Sequence, residues 1–273
     1  MKNLKFSVSM CVYGGDNPHH FDQALESIFS QTRLADELVL VVDGPIPDET
    51  DRIIKKHQAL HNNLFKVFRL EKNCGHGVAR STGLERCKYD YVAIADADDI
   101  NAPNRFEVQM EYFERQPELA AVSSSCFHFY ESVFNVINEE KMPQSDAEIK
   151  KAMKTSCPIC QPSVILNRKE VLKAGGYQDW YMAEDYYLWI RMMLNGAEFA
   201  NTPMSLLYLR TTPEQMARRG GYKYFNSMRK LYQYMYAHKV IGLGTLIFNV
   251  STRFVVQVLM PGKLRAVIRR LVQ

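Results

Sequence analysis

The stretch Tyr91-Val92-Ala93-Ile94-Ala95-Asp96-Ala97-Asp98-Asp99 joins a short apolar run to three carboxylates within four positions. Tyr91–Ala95 predicts a buried strand. Such a strand seldom ends in clustered like charge, because each carboxylate raises the ionisation cost of its neighbours and loses hydration on burial. A hard divalent cation, Mg²⁺ or Mn²⁺, removes that conflict. It takes oxygen ligands and shares them between one or two carboxylates and the phosphates of a substrate. The alternative is a solvated turn whose Asp caps a helix near Pro103.

Upstream of this stretch the chain alternates between two periods. Phe6–Val12, Glu37–Val42 and Leu64–Leu70 are near-continuous apolar runs of strand length. Between them, Asn17-Pro18 supplies a cap and a first-turn proline for Phe21, Leu25, Ile28 and Phe29 at helical spacing. Asp48 or Thr50 opens a second helix, and Gly75-His76-Gly77 leads into a third through Ala79, Leu84 and Cys87. Strands alternating with helices predict an α/β fold, Rossmann-like, with a mostly parallel central sheet and helices on both faces. Ligands of such sheets sit at the carboxyl ends of the strands, which is where Tyr13, Asp43, Asn73 and Asp96–Asp99 fall. Beyond Pro103 the pattern predicts helices over 104–115, 145–155 and 182–194, an apolar run over 120–129 and a turn at Gly175-Gly176-Tyr177.

Charge divides the chain in two. The last acidic residue is Glu214, and residues 215–273 hold eleven Lys/Arg with no Asp or Glu, whereas the first 214 residues hold 23 basic against 30 acidic side chains. The expected organisation is therefore a catalytic domain over 1–214 and a basic amphipathic helical region over 215–273. Tail residues Tyr222, Phe225, Met228, Leu231, Tyr232 and Tyr236 recur at helical spacing beside Arg229, Lys230 and Lys239. The apolar stretch Val240–Val250 has eleven residues with Asn249 among them, and extending it to Met260 meets Arg253, so a membrane span is not expected. A helix lying in the interface of an anionic leaflet, a packing or oligomer face, and nucleic-acid binding are the three readings of such a tail, and the first is favoured. The N-terminal apolar run reads as a first strand rather than a signal peptide. Six cysteines, mostly in apolar runs, read as reduced core thiols. Cys157-Pro158-Ile159-Cys160 has redox or zinc spacing, with no second Cys-x-x-Cys or nearby His pair to complete a site. His57 and His61, four apart, have the spacing of a metal pair and read preferentially as an exposed helix face.

Single residues are weak evidence and their order is strong evidence. Asp43 ends a buried strand, where it can read a nucleobase or ribose or satisfy backbone amides of the next turn. Gly75-x-Gly77 brings backbone close to a ligand between Lys72 and Arg80, but with the third glycine at Gly83 it is no dinucleotide fingerprint. Glu184-Asp185 in a first helical turn complements the helix dipole. Together with Ser7–Tyr13, Val41-Val42-Asp43-Gly44, Asn73-x-Gly75-x-Gly77-x-Ala79-Arg80-x-x-Gly83, Gln161-Pro162-Ser163-Val164 and Ala183-Glu184-Asp185-Tyr186-x-Leu188-Trp189-x-Arg191, the Asp96–Asp99 segment resembles the family 2 glycosyltransferases of the GT-A fold, over residues 4–212. The opening strand departs from the family pattern: Met10-Cys11-Val12-Tyr13-Gly14 keeps the tyrosine and lacks the asparagine that usually follows.

The resemblance implies an inverting, metal-dependent transfer of sugar from a nucleoside-diphosphate sugar, with UDP expected over GDP or dTDP. The acceptor would be a glycan hydroxyl on a lipid-diphosphate carrier, in surface polysaccharide synthesis at the cytoplasmic face of the membrane. It implies that Tyr13, Asp43, Lys72, Arg80 and Arg191 line the donor site, that Asp98 with Asp96 holds Mn²⁺ or Mg²⁺, and that Asp185, beside Glu184, is the general base. Arg218-Arg219 would meet the acceptor diphosphate. A sugar nucleotidyltransferase, or a non-catalytic nucleotide-sugar or membrane scaffold with the same fold, is the alternative.

Overall fold

In the computed structural model, which describes residues 4–212 and 220–260, the first hundred residues follow the expected alternation. Strands β1 (Phe6–Tyr13), β2 (Glu37–Asp43), β3 (Phe65–Leu70) and β4 (Tyr91–Ala95) enclose helices α1 (Pro18–Phe29), α2 (Asp48–Leu60) and α3 (His76–Arg86). Asn17 caps α1, its side-chain oxygen accepting the His19 and His20 amides ahead of the rigid Pro18. β1 pairs in parallel with β2 on one side and β4 on the other, and β2 with β3. The near-continuous apolar runs arise because both sheet faces are covered. Val39, Val41, Val92 and Ile94 face the layer that holds α3. Leu38, Leu40, Ala93 and the even-numbered residues of β1 face the opposite layer, with Phe21, Leu25 and Ile28 of α1.

The second half keeps the expected helices and the apolar run near 120–129, and adds strands and a short helix that the sequence reading did not list. Short β5 (Ile100–Asn101) and α4 (Arg105–Arg115) precede β6 (Leu119–Phe129), β7 (Val136–Glu140), α5 (Asp146–Ala152), β8 (Ile165–Asn167), α6 (Arg168–Lys173), α7 (Glu184–Leu194) and a 13-residue β9 (Glu198–Arg210). The full strand order is β3-β2-β1-β4-β8-β6-β9-β5, with β7 on β6. Here the sheet is mixed: β6 and β9 run parallel, while the β4–β8, β6–β8, β6–β7 and β5–β9 pairings are antiparallel. β9 is masked in the sequence by Pro203, which cannot donate to a ladder. The register shifts there, with Ser124 opposite Thr202 but Ser125 opposite Ser205, so the proline sits in an irregularity.

One further expectation is corrected. His57 is buried, not exposed: its Nε2 lies 2.6 Å from Asp22, and the His61 ring stacks on Phe29 at 3.6 Å. Of the three readings of the basic tail, packing describes its first helix. Met228, Leu231, Tyr232 and Met235 of α8 (Tyr222–Ala237) lie in the same apolar cluster as Leu188, Trp189 and Ile190 of α7. α9 (Leu243–Phe254) folds back on α8 and continues into a wide helical turn over Val255–Leu259.

Candidate active site

The chain leaves β1 for β2 on one side and later returns to place β4 on the other, so a switch point lies between β1 and β4. Register puts Tyr13 beside Asp43 at the ends of β1 and β2, and Ala95, just before Asp96, beside Met10. The turns here are drawn together by glycines. A Cβ on Gly14 would come within 2.6 Å of the Pro45 carbonyl, and one on Gly44, which is at φ +86°, within 2.5 Å of the Asn73 amide nitrogen.

Asp43 is buried and both its oxygens are engaged, Oδ1 by the Cys74 amide at 2.7 Å and Oδ2 by the Gly75 amide at 3.0 Å. Of its two sequence readings, the structure shows backbone capping, and of the 74–75 loop rather than of the Gly44-Pro45 turn. Lys72 lies exposed on that same loop. Tyr13 is half-buried, with its ring over Gly15 and edge-on to His76.

Arg80 joins the two halves of the chain. From α3 its guanidinium donates to Asp96 at 3.0 and 3.2 Å and to Glu184 at 2.8 Å. Burial disfavours its charge, but the Asp96 and Glu184 carboxylates outweigh this and push its pKa up, with Tyr177 and Asp185 adding to the effect. Arg80, expected at the diphosphate, is thus a strut that brings the strand-end carboxylates to the first turn of α7. Glu184 is the other end of that strut. Asp185 follows it, its Oδ1 accepting the Tyr186 amide at 2.7 Å. Met182, just upstream, is held at φ +52°, a left-handed conformation uncommon outside glycine. This turn is where β-sheet and α7 cores meet.

Asp96 and Asp98 are half-buried and alternate with buried Ala97 and Asp99. Asp99 accepts the Arg210 amide at 2.8 Å and the Asp98 carbonyl accepts Arg210 Nε at 2.9 Å, so the end of β9 clamps this loop from behind. Asp16, which the sequence reading did not single out, also joins the cluster. Burial pushes its carboxyl up to about 7 against the Tyr13 amide, which favours the charged form, and the charges of Asp98 and Asp96 add to the rise. An all-oxygen set carrying surplus negative charge fits a hard divalent cation.

Asp16 makes a pH prediction. A carboxyl raised on folding stabilises the fold fully below its ordinary value of 3.8, and that contribution is lost as pH rises through about 7. Asp16→Asn keeps an acceptor for the Tyr13 amide and does not titrate. In chelator, its melting temperature relative to wild type is expected to be lowest near about pH 4, to climb through about pH 7 and then to level off. A pH-independent difference would contradict the placement of Asp16 among these charges.

Arg191 is a correction. Expected at the donor, it is instead buried on α7 with its Nη2 donating to the Gly176 carbonyl at 2.7 Å, its Nη1 to the Ala174 carbonyl and its guanidinium over Tyr187. It ties the Gly175-Gly176 turn to the helix. Arg218-Arg219 lies outside the described residues.

Residues 7–176 match the model of Glycosyl transferase family 2. The chain belongs to this family. Within reach of it, the Escherichia coli UDP-Gal:alpha-D-GlcNAc-diphosphoundecaprenol beta-1,3-galactosyltransferase is 35% identical over 93% of this chain and 92% of its own length. The amylovoran biosynthesis glycosyltransferase AmsE of Erwinia amylovora is 35% identical over 90% and 92%. Among solved structures, S. aureus TarS 1–349 in complex with UDP-GlcNAc superposes with a TM-score of 0.68 at 18% identity, covering 92% of this chain and 73% of that one. The GT-A architecture expected from the motif order is the observed one.

Two glycosyltransferase residues escaped the sequence reading altogether besides Asp16. Arg210 carries the clamp on Asp98 and Asp99 and also reaches Gln23 at 2.9 Å. Arg105 is fully buried beneath the strand end, donating to Gln109 at 3.0 Å and to the carbonyls of Ile94 at 2.9 Å and Val164 at 3.3 Å, and burial pulls its pKa down to about 9. Nothing local marks either residue, since both act on segments far away in the chain.

Proposed function

We propose that this glycosyltransferase moves a sugar from a UDP-sugar to a hydroxyl of a glycan carried on a lipid diphosphate, with inversion, in bacterial surface polysaccharide assembly. The observation that carries the reading is the Arg80 bridge, which links Asp96 of the strand-end carboxylates to Glu184 beside Asp185. A charge-poised donor side and a candidate base are thereby held in one site. The UDP donor and lipid-diphosphate acceptor are supported by the printed activity of the E. coli relative, and UDP further by the nucleotide sugar bound to TarS.

Asp98 and Asp96 would hold Mn²⁺ or Mg²⁺, which when bound supplies charge stabilisation for a departing diphosphate. The remaining work belongs to the chain. Asp185 accepts the proton of the acceptor hydroxyl as that oxygen bonds to the anomeric carbon. The bond from that carbon to the phosphate oxygen breaks, and the nucleoside diphosphate leaves with the electron pair. One base without an enzyme nucleophile gives a single displacement and hence inversion. Arg80 neutralises Asp96 and Glu184, so their charge does not repel the phosphates. Tyr13 and the 72–75 loop fixed by Asp43 are the walls proposed for the nucleoside.

Delivery of a lipid-borne acceptor is the proposed role of the C-terminal helices. α8 is bonded to the loop just before Asp185: Trp180 Nε1 donates to the Ser227 carbonyl at 3.2 Å and Ser227 Oγ to the Tyr181 carbonyl at 2.7 Å. α9 and the turn after it expose Leu243, Ile247, Phe248, Val255 and Leu259, an apolar stripe suited to a membrane interface. No helix among the described residues is long and apolar enough to cross a membrane. One experiment tests the whole reading. Radiolabelled UDP-galactose and UDP-GlcNAc with Mn²⁺ are incubated with anionic vesicles carrying a glycan-diphosphate lipid. Label is expected in the lipid phase, with the protein sedimenting with the vesicles, and Ile247→Glu with Phe248→Glu should lower sedimentation. No label transferred from either donor would refute it.

A further inference from the structure

The fold splits the two thiols of Cys157-Pro158-Ile159-Cys160. Cys157 Sγ lies 3.5 Å from its own turn at the Ile159 carbonyl and feels the charge of Asp185. Cys160 is buried in a small cluster with Cys126 of β6 and Leu207 of β9. The sheet brings two more ligating groups to the same spot. Cys126 and His128 are two apart on β6 and share a face, and Glu140 of β7 is the direct cross-strand partner of Cys126. His128 Nε2 lies 2.9 Å from Glu140 Oε2, and Cys126 Sγ lies 3.9 Å from each. These three ligand atoms all fall within 4.8 Å of one another.

We propose that Cys126, Cys160, His128 and Glu140 form a structural zinc site, distinct in its ligands from the Asp96–Asp98 set. Two thiolates, an imidazole and a carboxylate are a four-coordinate donor set of the type zinc takes. A tetrahedral zinc with bonds of about 2.0–2.3 Å keeps its ligand atoms roughly 3.3–3.8 Å apart, so the Cys126, His128 and Glu140 atoms need shifts of only some tenths of an ångström, and the Cys160 thiol, which lies outside that group of three, would turn in as the fourth ligand. A hydrogen bond that would hold the imidazole is in place as well. His128 Nδ1 lies 2.9 Å from Thr211 Oγ1, and donation there leaves Nε2 an acceptor that faces a carboxylate oxygen and a sulfur. A cation here would take the Nε2 lone pair, the carboxylate oxygen and the Cys126 sulfur once its proton has left, and an outward hydrogen bond of this kind orients a ligating histidine. Binding would release the Cys126 and Cys160 thiol protons to solvent.

Softness separates this site from the other. Thiolates select zinc, whereas the all-oxygen Asp96–Asp98 set selects Mn²⁺ or Mg²⁺. The site would also pin two segments that the sheet holds loosely. β7 pairs with β6 alone, and the turn after Cys160 carries Gln161, whose Nε2 donates to Tyr177 at 2.6 Å, and Ser163, bonded to Ser123 at 2.8 Å.

The test is metal content of the purified full-length chain, measured by mass spectrometry after gel filtration, together with the spectrum of the cobalt-substituted protein. About one zinc per chain is expected in wild type and in Asp98→Asn, with at least a roughly tenfold loss in Cys126→Ser and His128→Gln. Wild-type protein titrated with Co²⁺ should develop a thiolate-to-cobalt charge-transfer band that weakens in Cys160→Ser. Zinc that is absent from wild type, or that persists undiminished in folded Cys126→Ser and His128→Gln, would overturn the proposal. Should those variants fail to fold, the wild-type cobalt spectrum decides alone, and no thiolate band overturns it. None of these readouts depends on sugar transfer.

Discussion

Asp185→Asn is expected to lower the rate of sugar transfer by about 10²–10⁴-fold while leaving nucleotide-sugar binding within about twofold, because the substitution removes a proton acceptor and little else. The backbone at this position is fixed from below. Tyr186, Leu188, Trp189 and Ile190 are buried in the core shared with α8, so the first turn of α7 cannot easily shift. Asparagine retains an oxygen for the Tyr186 amide that Oδ1 of Asp185 now accepts. It also leaves the Arg80–Glu184 and Arg80–Asp96 pairs intact. What changes is basicity. The deciding measurement is a pair: kcat with a saturating acceptor, and the dissociation constant of the donor by calorimetry. Turnover near wild type would remove Asp185 from the role of base. Equal losses in binding and turnover would instead make it a donor-positioning residue.

How far the sequence reached can be judged from particular residues. The β1–β4 half was legible because each strand is covered on both faces, so its apolar runs are continuous and its boundaries are marked by Asn17-Pro18, Asp43-Gly44 and Gly75. In the second half the helices were legible and strands β7, β8 and β9 were not, because β9 contains Pro203 and the antiparallel pairings of β7 and β8 are set by distant partners rather than by local pattern. The same distinction holds at the site. Asp96, Asp98, Glu184 and Asp185 stand out as charge where a buried element ends or begins. Asp16, Arg105 and Arg210 act only through tertiary contacts, and no spacing announces them. Arg191 misled for the opposite reason. A cation on the helix that carries the base reads as a ligand for phosphate, yet its guanidinium is spent on the carbonyls of Ala174 and Gly176.

The second large effect concerns Asp98. In Asp98→Asn, metal-dependent transfer is expected to fall by at least about 10²-fold, since loss of a ligand should cost no less than the 10–100-fold that loss of a ligand's support costs. The loop itself should survive, because Arg210 grips it through the Asp98 carbonyl and through Asp99, neither of which the substitution touches. Electrostatics then makes the variant informative in a second way. Asp98 adds to the charge that raises both Asp16 and Asp99, after burial, which is the larger cause at each. Removing it relieves like-charge repulsion, so the metal-free variant should melt higher than metal-free wild type at neutral pH. Mn²⁺ with UDP should raise the wild-type melting temperature as any ligand of the folded state does, and should raise that of the variant far less. A more stable but inactive protein is the signature of a carboxylate retained for binding a cation rather than for folding. If the variant instead keeps the full Mn²⁺–UDP shift, the metal is held elsewhere and Asp98 is a structural residue.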